Sequence, residues 1–252
     1  MGKCDLPLRT TQNFVDFVFS DIHPDFIIWT GDNPSHAEWK QDNQNEVFNV
    51  TRLFSNMLKR KLKRTNDFIP VYPSLGNHEK FPIDQFYPFD NKTERPLLIA
   101  IGDIWLDFLG EEAYQQFINF GYYSKKHLNT NLRIVSYNCL LCDVVDFYLI
   151  KNPNDPNNQL IWLEETFATA EQNGEIVYLI GHIPVGDSSF LSECSKRYQV
   201  LLDRYSHIIR GHFSGHTHLD EVKIMTRFYD EKQTSGMIFI APSLTTYYIL
   251  LI

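Results

Sequence analysis

The stretch Ile176-Val177-Tyr178-Leu179-Ile180-Gly181-His182 decides the fold, because it joins an apolar run typical of a buried strand to a glycine and a histidine. The same construction recurs at residues 26–30 before Gly31-Asp32, at residues 71–75 before Gly76-Asn77-His78-Glu79, and at Ile208-Ile209, which lead through residues 210–214 to Gly215-His216-Thr217-His218. Polar groups at the carboxyl ends of parallel strands converge on the crevice in which open α/β sheets bind ligands. The sequence therefore predicts an α/β fold in which these four clusters meet.

The chemistry of the four clusters indicates a metal site. Imidazole, carboxylate and amide oxygen together are typical ligands of zinc, iron or manganese. Taken singly, a Gly-Asp pair also fits an ordinary turn, and a histidine after a strand is often a packed residue. All four clusters occur in order and each follows a predicted strand, so we interpret them as one metal-binding constellation.

The composition excludes some classes of function. The chain has 252 residues, 43% of them hydrophobic and 14% aromatic, which is typical of a globular protein. Its formal net charge is −8, and a nucleic-acid platform would normally carry a basic stripe instead. The basic run at residues 59–64 ends a helix-like stretch, and we interpret it as a solvated helix end. No apolar stretch approaches the roughly 20 residues of a membrane span.

Alternating patterns of period 3.6 and period 2 support the α/β interpretation. Helices are predicted at residues 11–20, 47–58 and 159–173, and additional strands at residues 133–137 and 237–241.

The order Gly-Asp, Gly-Asn-His-Glu, Gly-His and Gly-His-Thr-His resembles the calcineurin-like metallophosphoesterases. Longer segments resemble the acid sphingomyelinase branch of that family, at residues 3–10, 29–36, 155–156, 159–163, 181–184 and 241–247. The resemblance covers nearly the whole chain. It implies one domain over residues 1–252, built of four layers with two mixed sheets between helices, and two zinc ions above the strand ends.

The resemblance also implies roles for individual residues. Asp32 would bridge both metals, and a carboxylate can do so because it has two oxygens. One metal would be completed by Asn77, His182 and His216, and the other would receive His218. His78 and His36 match histidines that protonate the leaving oxygen or stabilise the transition state. We expect His212 to be a packing residue or to contact the metal ligands without binding the metal. His127 and His207 carry no functional signal.

The family's ligand pattern begins with an Asp-x-His motif after a first strand. Asp21-Ile22-His23 has those letters, but only residues 24–31 separate it from Asp32. Neighbouring parallel strands need a crossover of about a dozen or more residues. We therefore expect Asp21 and His23 at the end of the sheet opposite the metals, and one complete metal position in this chain. By the same comparison we expect the first strand, the saposin-like region and the C-terminal part to be missing.

The four cysteines allow three pairings. Family position implies a disulfide between Cys142 and Cys194, which leaves Cys4 and Cys139 unpaired. Cys139-Leu140-Leu141-Cys142 also has the spacing of a redox motif or half a zinc knuckle, but it lacks a second pair and a helix start. Glycosylation sequons begin at Asn49 and Asn91. Together with the resemblance, they imply a secreted or lysosomal location.

Three functions remain open from the sequence. The first is a zinc phosphodiesterase that cleaves sphingomyelin to ceramide and phosphocholine, acts as a monomer, touches membranes transiently and binds no nucleic acid. His36, Trp39 and the cysteine pair favour this function. The second is a hydrolase of nucleotides or other phosphodiesters from the sphingomyelinase-like branch. The third is a catalytically inactive fragment or binding protein that retains a half-complete metal centre.

Overall fold

The computed structural model describes residues 5–36, 44–64, 68–88, 94–151 and 154–245. Cys4, Trp39 and Asn91 lie outside these ranges. The described helices are α1 Leu8–Phe17, α2 Gln44–Leu62, α3 Glu94–Phe120, α4 Gln159–Gln172 and α5 Ser192–Arg204. The described strands are β1 Ile27–Trp29, β2 Val71–Pro73, β3 Tyr123–Lys126, β4 Leu132–Ser136, β5 Ile176–Ile180, β6 Ile209–Ser214, β7 Glu221–Arg227 and β8 Asp230–Ile240.

Within the described residues the strands form two sheets. The small sheet pairs β1 with β2 in parallel. The large sheet has the order β3-β4-β5-β6-β8-β7, in which β4, β5, β6 and β8 run parallel while β3 and β7 are antiparallel to their neighbours. The parallel core places the carboxyl ends of β5 and β6 side by side, which is where polar ligands are expected to converge.

Strand β5 shows how the layers are held together. Its side chains alternate between the two faces of the large sheet. Val177 and Leu179 pack with α4 and α5, whereas Ile180 packs with Tyr72 of the small sheet. Helices α2 and α3 cover the other face of the small sheet, where Trp29 meets Trp105 edge to face with ring centroids 5.4 Å apart. The result is helix, sheet, sheet, helix, which confirms the four layers that the resemblance implies.

Several predicted elements are confirmed and others are corrected. The strand at residues 176–180 is β5, and the strand at 133–137 and the helix at 159–173 agree with β4 and α4 within one residue. The helix predicted at 11–20 begins at Leu8 and continues through a π-helical turn to Ile22. The strand predicted at 208–209 extends to Ser214, because its backbone pairs with β5 and β8 along this length.

Helices α3 and α5, and strands β3 and β7, have no counterpart among the elements predicted from sequence. In α3 the apolar residues are not confined to the buried face. Leu97, Leu98, Ile101, Ile104 and Trp105 are buried and share one helix face, whereas Leu106 is exposed on another side of the helix. Apolar residues outside the buried face blur the stripe of period 3.6 by which an amphipathic helix is recognised in a sequence.

Asp21 and His23 lie where the sequence argument places them. Both are exposed and precede the start of β1, whereas Asp32 follows its end. Asp21 is in the π-helical turn rather than in a loop, and His23 ends that turn with a left-handed backbone. The pair is therefore separated from Asp32 by the length of the strand.

The cysteines and the surface agree with the remaining sequence expectations that the described residues can address. Cys142 and Cys194 form a disulfide with their Cα atoms 5.9 Å apart, and Cys139 is a buried free thiol. Asn49 is exposed on α2. None of the helices in the described ranges combines the length and the apolarity that crossing a bilayer requires.

Candidate metal centre

Asp32 and Asn77 come from the two neighbouring strands of the small sheet. Gly31 and Asp32 follow β1, and Asn77 begins a short 3-10 turn, Asn77–Glu79, after β2. The two connecting segments touch through their backbones, so that a Cβ atom at Gly76 would overlap Asp32 Oδ1. Gly31 has φ +91°, a conformation that favours glycine. The glycines in these motifs thus allow the carboxylate and the amide to approach each other.

Glu79 fixes both segments from behind, a role that the sequence analysis did not assign. Its buried carboxylate accepts hydrogen bonds from Asp32 N at 2.9 Å, Gly76 N at 2.7 Å, and Asn33 N and Nδ2 at 3.0 and 2.9 Å. Burial and the neighbouring charge of Asp32 raise the pKa of Glu79, while the backbone donors oppose that rise. His78 N donates to Asp32 Oδ1 at 2.9 Å and completes this network.

The large sheet supplies two histidines that face Asp32 and Asn77. His182 follows β5, and His216 follows β6 with a left-handed backbone. His182 Nδ1–H donates to Thr30 O at 2.8 Å, which leaves its Nε2 lying 2.7 Å from Asp32 Oδ2. His216 Nε2 lies 3.0 Å from Ser189 Oγ, and its Nδ1 lies 3.3 Å from Asn77 Oδ1.

This arrangement fits a divalent cation. Ligand atoms of Asp32, His182 and His216 all lie within 4.8 Å of one another, and Asn77 Oδ1 adjoins them. In metal-binding histidines the ring nitrogen that does not bind the metal is generally held by an oxygen. Thr30 O holds His182 in this way, and Ser189 Oγ holds His216. Despite its closeness to Asp32 Oδ2, the buried His182 Nε2 makes no hydrogen bond of acceptable geometry among the described residues. Carboxylate, amide oxygen and two imidazoles lie together, as ligands of zinc, iron or manganese do.

The charges of the site favour this use. Burial alone would raise the pKa of Asp32, but the nearby charges of His182 and His78 and the hydrogen bond from His78 N hold it well below its ordinary value. Burial and the charge of His182 lower the pKa of His216 to about 4. Asp32 is therefore an anion and His216 a neutral imidazole at neutral pH, the protonation states in which each can bind a cation.

A second group of histidines lies beside this point. The His36 ring meets the His78 ring edge to face at 4.6 Å and the His218 ring at 5.2 Å. His78 Nδ1–H donates to Ser35 O at 3.1 Å, and His78 Nε2 lies 3.8 Å from Asp32 Oδ2. A cleft of ≈ 530 Å³ opens here, and the residues that line it include Asp5, His36, His182, His216 and His218.

The structure separates His212, His127 and His207 from the centre, whereas His218 lines the cleft beside it. His218 lies with His36 and does not join the group formed by Asp32, His182 and His216. His212 lies within β6, buried, with Nε2 3.4 Å from the Tyr137 hydroxyl. His127 bonds to the Tyr72 hydroxyl at 2.7 Å, and His207 pairs with Glu171 on the surface. These contacts give His212, His127 and His207 structural surroundings rather than a place at the cleft.

An α/β sandwich with a polar metal centre at its strand ends defines a class of metallohydrolase. The family model for calcineurin-like phosphoesterases matches residues 6–220. The chain belongs to this family.

Similarities to individual proteins agree with that assignment. The chain is 36% identical to a sphingomyelin phosphodiesterase of Bos taurus, over 98% of this chain and 39% of the bovine protein. It is 34% identical to a cyclic GMP-AMP phosphodiesterase of Bos taurus, over 96% of this chain and 53% of that protein. A dimetal phosphatase structure from Danio rerio shares the fold, with a TM-score of 0.59 at 14% identity, covering 94% of this chain and 77% of that one. The chain thus spans about half or less of the length of these curated relatives.

Proposed function

We propose that this protein is a zinc-dependent phosphodiesterase that hydrolyses sphingomyelin to ceramide and phosphocholine. The observation that carries the proposal is the convergence of Asp32, Asn77, His182 and His216 beside the His36 and His78 rings. The family match and the similarity to sphingomyelin phosphodiesterases support the reaction and the substrate class. Zinc is the proposed metal because the resemblance to the acid sphingomyelinase branch implies it, and imidazole and oxygen donors fit it.

The residues of the chain have separate tasks in this mechanism. Zinc, when bound, supplies Lewis acidity that draws electron density from the phosphoryl group. Asp32 and Asn77 provide oxygen ligands, and His182 and His216 provide nitrogen ligands. His78 Nδ1–H is held by Ser35 O, so its Nε2 lies on the side of Asp32, a residue that lines the cleft. A water molecule forms the new P–O bond and releases one proton to solvent. As the P–O bond to the leaving group breaks, a protonated imidazole of His78 or His36 gives its proton to the departing oxygen.

Metal stoichiometry tests the site. Among the described residues the donor set of one metal position is complete, whereas Asp32 and His218 are the residues matched to the other. We expect one tightly bound zinc per chain by elemental analysis of the purified protein. His182→Ala should lose that zinc, and His207→Ala, which alters an exposed histidine, should keep it. Two equivalents of zinc in the unaltered protein would contradict the proposed single complete position.

Turnover tests the reaction. His78→Ala should lower kcat by about 10²–10⁴-fold, the usual contribution of a positioned acid or base, with zinc content unchanged. The measurement is release of phosphocholine from sphingomyelin in mixed micelles at acidic pH with added zinc. A chain that binds zinc but releases no phosphocholine would favour the inactive binding protein considered above.

The second candidate is hydrolysis of nucleotide-type phosphodiesters. The similarity to a cyclic GMP-AMP phosphodiesterase favours it. Comparison of kcat/KM for sphingomyelin and for a cyclic dinucleotide in one preparation separates the two functions. The substrate with the higher value identifies the branch.

A secreted or lysosomal location is proposed with this function, as is a monomer that meets membranes transiently. The Cys142–Cys194 disulfide supports an oxidising compartment. Exposed Asn49 is accessible to glycosylation. Asn49→Gln should therefore increase the electrophoretic mobility of protein expressed through the secretory pathway.

A further inference from the structure

Asp5 contacts His36 in two ways, although 31 residues separate them. Asp5 Oδ1 lies 2.6 Å from His36 Nδ1, and Asp5 Oδ2 accepts a hydrogen bond from His36 N at 3.1 Å. The two oxygens of one carboxylate therefore hold both the ring and the backbone of His36. A contact of this kind restricts the rotation of the ring as well as its position.

The contact also selects a tautomer. A carboxylate accepts hydrogen bonds, so the hydrogen between Asp5 and the His36 ring is carried by Nδ1 in the neutral imidazole. The opposite nitrogen, Nε2, then carries the lone pair. A carboxylate that holds an imidazole through Nδ1–H sets both the tautomer and the orientation of the ring in serine hydrolases, and the same physical argument applies here.

The surroundings show that the held ring belongs to the cleft. His36 lies on the segment that leaves β1 through Asp32, and both residues line the cleft with Asp5 itself. Glu79 holds the start of this segment through the Asp32 and Asn33 backbones. Asp5 holds its far end, four residues later. The His36 side chain is 11% exposed, so its freedom is set mainly by these neighbours.

We propose that Asp5 is a positioning residue, which fixes the tautomer and orientation of His36. Nδ1 is then kept for Asp5, and Nε2 is the nitrogen that carries the transferred proton when the ring acts as the acid. The catalytic value of this arrangement rests on the proposed function. The geometry of the His36 ring does not depend on the proposed function, and it can be measured separately.

The direct test is the tautomer of His36 in zinc-loaded protein labelled with ¹⁵N-histidine. Long-range ¹H–¹⁵N correlation spectra at neutral pH should show Nδ1 protonated and Nε2 unprotonated, with the signal assigned by its absence in His36→Gln. Asp5→Asn keeps the size of the side chain but can offer N–H to the ring, so the single Nδ1–H tautomer should be lost. Asp5→Ala should give a mixture. An unchanged His36 signal in both variants would overturn the proposal.

Kinetics provide the second readout. Asp5→Asn should lower kcat by about 100-fold, the scale of a misoriented catalytic group, with KM little changed. In the His36→Gln background the same substitution should have no further effect. Asp16→Asn is the matched control, because Asp16 lies on α1 and pairs with Lys61 at the surface. Additive losses in the double variant, or losses that follow a lower zinc content or unfolding temperature, would overturn the proposal. If the unaltered protein hydrolyses no phosphodiester, the proposed function fails, and the spectra still decide the role of Asp5.

Discussion

The small-sheet and large-sheet halves of the metal centre hold their ligands differently. Asp32 and Asn77 are fixed within their own half, through the Glu79 carboxylate and the backbone of the segments after β1 and β2. His182 and His216 both contact atoms of the other half, Thr30 O and Asn77 Oδ1, and His216 Nε2 also meets Ser189 Oγ of its own half. The comparison teaches that hydrogen bonds organise the small-sheet half without a cation, and that the two histidines of the large-sheet half pack against it. Substitutions in the first half should therefore have the larger effects.

The largest effect is expected where the segment after Asn77 is tied to α3. Lys80 and Glu94 form a buried ion pair at 2.9 Å, with side chains 9% and 6% exposed. Lys80→Met leaves the Glu94 carboxylate buried without its cation, which should cost about 3–5 kcal/mol of unfolding free energy.

Lys126→Met is the control, since Lys126 is exposed and Glu175 keeps its bond to Arg133. Its cost should stay below about 1 kcal/mol in urea titrations. Equal losses in the two variants would contradict the comparison.

The next effect concerns zinc affinity. Both carboxylate oxygens of Glu79 accept hydrogen bonds. Glu79→Gln replaces one of these oxygens with an NH₂ group, which faces backbone N–H donors and cannot accept from them. We expect zinc affinity to fall by about 10–100-fold, as for other residues that orient metal ligands. Competition with a chromophoric chelator measures the change. Glu112→Gln, on the exposed side of α3, serves as the control. Unchanged affinity in Glu79→Gln would show that the small-sheet half does not need this carboxylate.

The smallest expected effect lies in the large-sheet half, in the segment after β4. Burial raises the pKa of Asp146 to about 8 and that of Asp143 to about 7, from 3.8. The folded state therefore binds more protons than the unfolded chain between about pH 4 and pH 8, and these groups make stability fall as pH rises through that window. We expect a loss on the order of 2 kcal/mol between about pH 6.5 and pH 8.

The Asp146 prediction is checked by comparing variants, because buried histidines also titrate. Below about pH 6.5 the lowered pKa of His216 acts in the opposite direction. Asp146→Asn keeps a neutral side chain at every pH and should flatten the fall in unfolding free energy above pH 6.5. Asp25→Asn, at an exposed position, should leave the fall as it is. Parallel pH profiles for the Asp146 variant and the unaltered protein would refute the assignment.

The sequence predicted the parts of the site that depend on strand ends. Asp32, Asn77, His182 and His216 each follow an apolar run, and parallel strands bring such positions together regardless of their separation in the chain. Glu79 stands in the same motif as Asn77, yet its role depends on the distance between two turns, which no periodic pattern encodes. Asp5 holds His36 across 31 residues for the same reason. Helix α3 was not predicted because apolar residues such as Leu106 also lie outside its buried face, which blurs the stripe by which helices are recognised.

The order in which the ligands are made has a consequence for biosynthesis. Asp32 and Asn77 belong to the first third of the chain, whereas His182 and His216 lie in its last third. At roughly 5–20 residues per second, about 10–40 s pass on the ribosome between the synthesis of residue 32 and that of residue 216. From residue 77 to residue 182 the nascent chain carries both oxygen ligands without the imidazoles. A cation can therefore meet the full set of donors only after His216 has been made, and its loading depends on the compartment in which folding finishes.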